Sequence, residues 1–240
     1  LIGCASPTNE SAQVVTPVQA SATAQPSPLP TFTPTIPPSP TATSLSTPTA
    51  TITATPEPHG CLRPPDDYAR ETIGGWTINR RTYAMLEHAA ELYGGELDIA
   101  GDRITQGSYN SAVAASFGTH SGGGAVDLSV MRAGTYTVLW DDIELLIQAL
   151  RRAGFAAWFR DYGELYPDSP YHIHAIAIGD QELSPAAQDQ LTGPFGYFRG
   201  YTGVPIPNGT PAPDRHGGPV ICQWMIDMGY ADLRQPTPTP

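Results

Sequence analysis

"GTHSGGGAVDLSV", residues 118–130, carries the reading on which the fold and the chemistry of this chain turn. His120 is followed by a run of three glycines and then, seven positions on, by Asp127 inside an apolar segment. A carboxylate in apolar surroundings is costly unless it is paired or bound to a metal, and glycines lose the most backbone entropy on folding. A metal ion drawing His120 and Asp127 to one point offsets both costs, with the glycines allowing a tight turn that keeps side chains off the ion. "AVDLSV" itself reads as a strand, with Ala125, Asp127 and Ser129 on one face and Val126, Leu128 and Val130 on the other.

A second strand, "YHIHAIAIG" (171–179), supplies the other ligands. His172 and His174 are two apart and share a face, their Cα atoms about 6.6–7 Å from each other, while Ile173, Ala175 and Ala177 face the opposite way. A lone His-x-His is usually a pair on a partly solvated strand. With His120 and Asp127 it makes a set of imidazoles and one carboxylate of the kind that binds zinc and leaves one position open.

Around these strands the periodicity predicts a helix over 79–93, with Met85, Leu86, Ala89, Leu92 and Tyr93 at helical spacing and Gly94–Gly95 ending it. A strand is expected through "ELDIAGDRITQGSY", residues 96–109, on the alternation of Leu97 and Ile99. "DDIELLIQALRRAGF" reads as a helix with an Asp141/Glu144 capping box, a stripe of Ile143, Leu146, Ile147 and Leu150, and a stop at Gly154. "FAAWFR" follows as a strand, and "LSPAAQDQL" as a short helix with Ser184 as its cap and Pro185 at its first position. Strands this closely spaced leave no room for regular βαβ units, so an α+β domain is expected, with a mainly antiparallel sheet and flanking helices. Trp76, Trp140, Trp158 and Trp224 read as core anchors, and His59, His88 and His216 carry little case for function.

The pattern His120, six residues, Asp127, then His172-x-His174 resembles the zinc D-Ala-D-Ala carboxypeptidases and related peptidoglycan peptidases of the hedgehog/DD-peptidase fold. Their first motif is Ser-x-His-x-x-Gly-x-Ala-x-Asp. Here His120, Gly123, Ala125 and Asp127 match it, and Gly118 stands in place of the serine. The resemblance spans about residues 97–178. It implies that His120, Asp127 and His174 ligate zinc and that His172 assists a water or steadies the developing oxyanion. It also implies an acid three residues before the last ligand. Tyr171 stands there, Ser169 lies three before His172, and only Asp161 and Glu164 are near. The family's carbonyl-polarising arginine falls at Tyr109 in "TQGSYN", with Arg103 out of register, so Gln106, Tyr109 or Asn110 would supply a neutral hydrogen bond instead. Three readings therefore stand: a zinc peptidase acting on cell-wall peptides, a zinc-stabilised wall-binding module without turnover, and a structural surface protein without metal.

The rest of the chain bears on location and partners. From Ala5 to about Pro58 the sequence is Ser, Thr, Pro and Ala with only Glu10 and Glu57 charged, the composition of a disordered tether. A single domain is expected over 59–235, ending in a Pro/Thr tail at 236–240. Those two glutamates are among 23 acids, so 21 remain against 12 arginines, and lysine is absent. A phosphate backbone would be repelled, which excludes nucleic acid as a natural partner. "LIGC" at residues 1–4 resembles a bacterial lipobox, implying a trimmed signal segment, lipidation of Cys4 and attachment to the membrane at the bacterial cell surface. In that oxidising setting Cys61 and Cys222, at the two ends of the domain, are expected to pair. A monomer is expected. The Gly-, Pro- and aromatic-rich stretch 192–220 reads either as a lid or as the strap that returns Cys222 to Cys61.

Overall fold

The computed structural model describes residues 58–205 and 209–234. Cys4, nearly all of the tether and the Pro/Thr tail lie outside the described residues.

The fold is α+β, with two small antiparallel sheets and a few helices. A hairpin of β1 (Arg70–Ile73) and β2 (Trp76–Asn79) leads into α1 (Arg80–Tyr93). Asn79 caps that helix, its Oδ1 accepting from the Thr82 amide at 2.9 Å, and Gly94 closes it in the left-handed conformation. The main sheet holds β3 (Ile104–Gln106), β4 (Ala125–Ser129), β5 (Phe155–Arg160) and β6 (His172–Ala177) in the order β3-β4-β6-β5, every neighbour antiparallel. α2 (Trp140–Arg152) precedes β5, α3 (Pro185–Thr192) follows β6, and α4 (Gln223–Asp227) comes last.

The alternation read from the sequence becomes two cores, one on each face of the sheet. Val126, Leu128, Phe155, Ala157, Phe159, Ile173 and Ala175 pack with Met85, Leu86, Ile143, Leu146 and Ile147 of α1 and α2. On the other face Ala125, Ala156, Trp158 and Ile176 pack with Leu191, Tyr197, Phe198, Trp224 and Met225. This second core fills only one end of its face, and the site lies where it stops.

Three expectations change in detail. Residues 96–109 form a strand only at β3, because Ile99 and Gly101 fold back onto Leu97 and Asp98 in tight backbone turns, although Leu97 and Ile99 are buried. α2 starts at Trp140 with Leu139 as a cap lacking any side-chain bond, so Asp141 and Glu144 form no capping box. Asp142 accepts instead from the Tyr93 hydroxyl at 2.5 Å, and Glu144 reaches His216 Nδ1 at 2.8 Å and Gln148. Trp140 is 56% exposed, unlike the buried Trp158 and Trp224.

The described residues of the 192–220 stretch are pinned as a strap. Trp158 Nε1 donates to the Tyr201 carbonyl and Arg160 to that of Thr202, while Arg151 pairs with Asp214 at 2.6 Å and donates to the carbonyls of His216 and Gly218. Beyond the strap Cys222 forms a disulfide with Cys61, their Cα atoms 5.6 Å apart.

Candidate metal centre

Register across the sheet places Gln106, Asp127, His174 and Trp158 in one row, and Ser129, His172 and Arg160 in the next. All of these side chains rise from the face whose other end is covered by the second core. His120 comes from outside the sheet, on a single 3-10 turn, Thr119–Ser121.

What holds that turn explains the glycines. The Asn110 amide donates to the His120 carbonyl at 2.7 Å, Tyr109 N to that of Gly122 at 2.8 Å, and Ser184 Oγ to that of Thr119 at 2.9 Å. Gly123 N donates to the Glu182 carbonyl at 2.7 Å, laying the loop directly on residues 180–184. A Cβ on Gly122 would sit 2.3 Å from the Glu182 carbonyl oxygen and 2.5 Å from Ser184 N, and both are backbone atoms that cannot swing away. Gly124 has φ +78° and would meet Leu183 at 2.6 Å. The run therefore serves close backbone approach to the 180–184 segment. The sequence reading had placed the crowding at the ion instead.

The three side chains converge. His174 Nδ1 lies 2.7 Å and His120 Nε2 3.3 Å from Asp127 Oδ1, and the three ligand atoms are all within 4.8 Å of one another. Tetrahedral zinc with bonds of 2.0–2.1 Å has ligand–ligand edges of about 3.3–3.4 Å. His120 Nδ1 is 2.9 Å from the Gly107 carbonyl, which can only accept, so Nδ1 carries the proton and Nε2 presents its lone pair. That buried Nε2 has no hydrogen-bond partner and faces a carboxylate oxygen 3.3 Å away, an arrangement that either a proton on Nε2 or a metal ion between the two would satisfy. His174 Nε2 lies 3.0 Å from Gln190 Oε1, which orients the ring with Nδ1 toward Asp127. Trp158 stacks on the His174 ring, centroids 6.1 Å apart and planes 12° off parallel. The residues present thus fit a metal ion, with Gly107 and Gln190 as the outer partners that fix ligand tautomers.

Electrostatics agree. Burial pushes His174 down to about 4, against the pull of Asp127, so its ring is neutral near pH 7. Burial works to raise Asp127, yet His120 and His174 outweigh it and hold its carboxyl well below the usual range. Burial likewise opposes charge on His120, but Asp127 wins and raises it. The proton that His120 gains is the one a metal would displace.

The centre opens into a cavity of about 610 Å³ lined by His120, Asp127, His172, His174, Gln106 and Arg160 among others. His172 Nδ1 lies 2.8 Å from the Pro170 carbonyl, so its Nε2 is the lone-pair nitrogen. Gln106 Nε2 donates to Ser116 Oγ at 2.8 Å. Tyr109 is not brought to the cavity: its hydroxyl donates to Glu182 and accepts from Asn79. Arg103 is turned to Asp102 and the Met131 carbonyl, and Asp161 to Arg215. Glu164 pairs with Arg160, and neither Asp161 nor Glu164 lines the cavity. Two contributors, Arg160 and Gln190, were missed from the sequence. Arg160 had a signal, a cation ending the apolar strand "FAAWFR", but only the β5–β6 register places it opposite His172.

The chain matches no protein-family model, no curated protein and no solved structure. What the fold and site define together is an α+β domain with a buried His/Asp/His cluster that can hold a metal ion.

Gln190→Ala is expected to lower metal affinity by about 10–100-fold, the usual cost of losing an outer hydrogen bond to a ligating histidine. Chelator competition on the purified protein reads this directly, and unchanged affinity would remove Gln190 from the site.

Proposed function

We propose that the domain is a zinc hydrolase of the hedgehog/DD-peptidase kind, cleaving amide bonds in cell-wall peptides while tethered through Cys4 to the bacterial membrane. The observation that carries this reading is the buried, unpartnered Nε2 of His120 aimed at Asp127 and His174. His120 Nε2, Asp127 Oδ1 and His174 Nδ1 would hold the ion. Bound zinc supplies a Lewis acid and makes a nucleophile available at neutral pH. The chain's own residues do the rest. Gly107 and Gln190 fix the ligand rings. With its Nδ1 proton held by Pro170, His172 can take a proton at Nε2 and return it to the departing amine.

A second reading, a zinc-stabilised binding module, is favoured by one feature: Asp127 is the only carboxylate among the described lining residues, and it is committed to the two histidines. Zinc-loaded full-length protein incubated with peptidoglycan-derived peptides, with products followed by mass spectrometry, separates the two. The hydrolase predicts turnover that His172→Ala lowers by about 10²–10⁴-fold while zinc content stays unchanged. Stoichiometric zinc with binding but no turnover assigns the module. Failure to hold zinc removes both.

A further inference from the structure

The cavity contains a charge for which the hydrolase reading has no use. Arg160 is 2% exposed and borders both this cavity, one row beyond Asp127 and His174, and a neighbouring one lined by its partners Glu164 and Thr202. A guanidinium has five N–H donors in a fixed fork. Among the described residues two bonds engage it, Nη2 to the Thr202 carbonyl at 2.9 Å and Nη1 to Glu164 at 3.3 Å. The Glu164 contact is a single long one, and the other oxygen of that carboxylate accepts from the Asp161 amide at 2.8 Å. Bidentate pairing, the geometry in which arginine binds a carboxylate best, is therefore unmade. Among the described lining residues Arg160 is the only arginine, and the chain has no lysine.

Much of the remaining wall is apolar or aromatic, including Phe117, Tyr136, Val138, Tyr162, Leu165 and Tyr171, with Gln106, Ser116 and Ser129 among its polar members. At about 610 Å³ the space suits a ligand of drug-like size. Strand rows two residues apart are separated by about 6.6–7 Å, the reach of roughly two residues of extended peptide.

Resting on the reading of this cavity as a substrate site, we propose that Arg160 binds a carboxylate of the ligand while the aromatic wall takes a bulky apolar group next to it. The substrate class is then a peptide or acylated amino acid that carries a free carboxylate and a large apolar side chain. Arg160 is its specificity-determining residue.

The test is calorimetric titration of the full chain, with metal chelated, using 3-phenylpropanoate and its neutral counterpart 3-phenylpropanamide. The acid is expected to bind at least about tenfold more tightly than the amide, as a charge-assisted pair requires. Arg160→Gln should abolish that preference, and Glu164→Gln should strengthen it by freeing the guanidinium. Equal affinities, no binding of either compound, or a preference that survives Arg160→Gln overturns the proposal. Should Arg160→Gln not fold, the acid–amide comparison in wild type and Glu164→Gln decides. Zinc content measured on the same preparations reports separately on the metal reading. A carboxylate preference in protein that never holds zinc keeps this assignment and removes the hydrolase, and zinc without the preference does the reverse.

Discussion

Asp127→Asn is expected to lose the metal ion that the His120, Asp127 and His174 cluster can hold. The substitution keeps the volume of the side chain but removes the charge and turns one acceptor oxygen into a donating NH2 group, and a neutral amide oxygen is a poor ligand beside two imidazoles. Asp127 Oδ1 is the atom on which both rings converge, at 2.7 Å from His174 Nδ1 and 3.3 Å from His120 Nε2. Loss of an outer partner costs about 10–100-fold in affinity, so loss of a direct ligand is expected to exceed about 100-fold. Zinc per chain by elemental analysis after dialysis, with chelator competition for the constant, reads the effect. The loop carrying His120 is held by Asn110, Glu182 and Ser184 independently of Asp127, so the variant should fold. Circular dichroism checks that control. Zinc retained undiminished by a folded Asp127→Asn protein would dismiss this site.

The second large effect falls on stability. Cys61 and Cys222 are 161 positions apart, so their bond removes a very large loop from the freedom of the unfolded chain. In the chain-entropy description that contributes up to about 5 kcal/mol, and native disulfides commonly deliver about 2–5 kcal/mol. Cys61→Ser with Cys222→Ser is thus expected to lower the unfolding free energy by about 2–5 kcal/mol. For a domain of this size each kcal/mol corresponds to about 2–4 °C in Tm. Denaturant titration of full-length wild type and double variant measures it, and added reductant should bring wild type to the variant's value. Equal stability of the two proteins would show that the strap, through Arg151, Trp158 and Arg160, holds this end of the domain unaided.

The His120, Asp127 and His174 cluster was legible because its residues sit in two short motifs, while the choice of His174 over His172 as the ligand rested on the motif resemblance. Asp127 and the His172/His174 pair each announce a face by strict alternation, and the α+β class follows from the spacing of strands and helices. Features set by register between distant segments were not legible. Arg160 faces the cavity only because β5 pairs with β6 so that residue 160 meets residue 172. Gln190 reaches His174 only because α3 folds back over the sheet. Tyr109 was placed by a resemblance of motif, yet its backbone takes φ +58° and its hydroxyl joins Asn79 and Glu182 in the network beneath the glycine loop. The Asp141/Glu144 cap failed for a related reason. The helix begins at Trp140, which puts Asp141 inside its first turn, and His216 claims Glu144 from across the fold.

The two cores on opposite faces of the main sheet have a consequence for how the protein comes apart. β4 and β6 are the central strands, paired on both sides, and the Asp127–His174 row crosses them next to buried side chains on either face. Backbone amides in such strands exchange with solvent only through the highest-energy openings of a domain. The outer strand β1, exposed at alternate residues and paired only with β2, belongs to the parts that can open first. Partial opening at the periphery therefore leaves the Asp127–His174 row assembled, while His120, carried on its own turn outside the sheet, depends on the loop bonds that hold that turn.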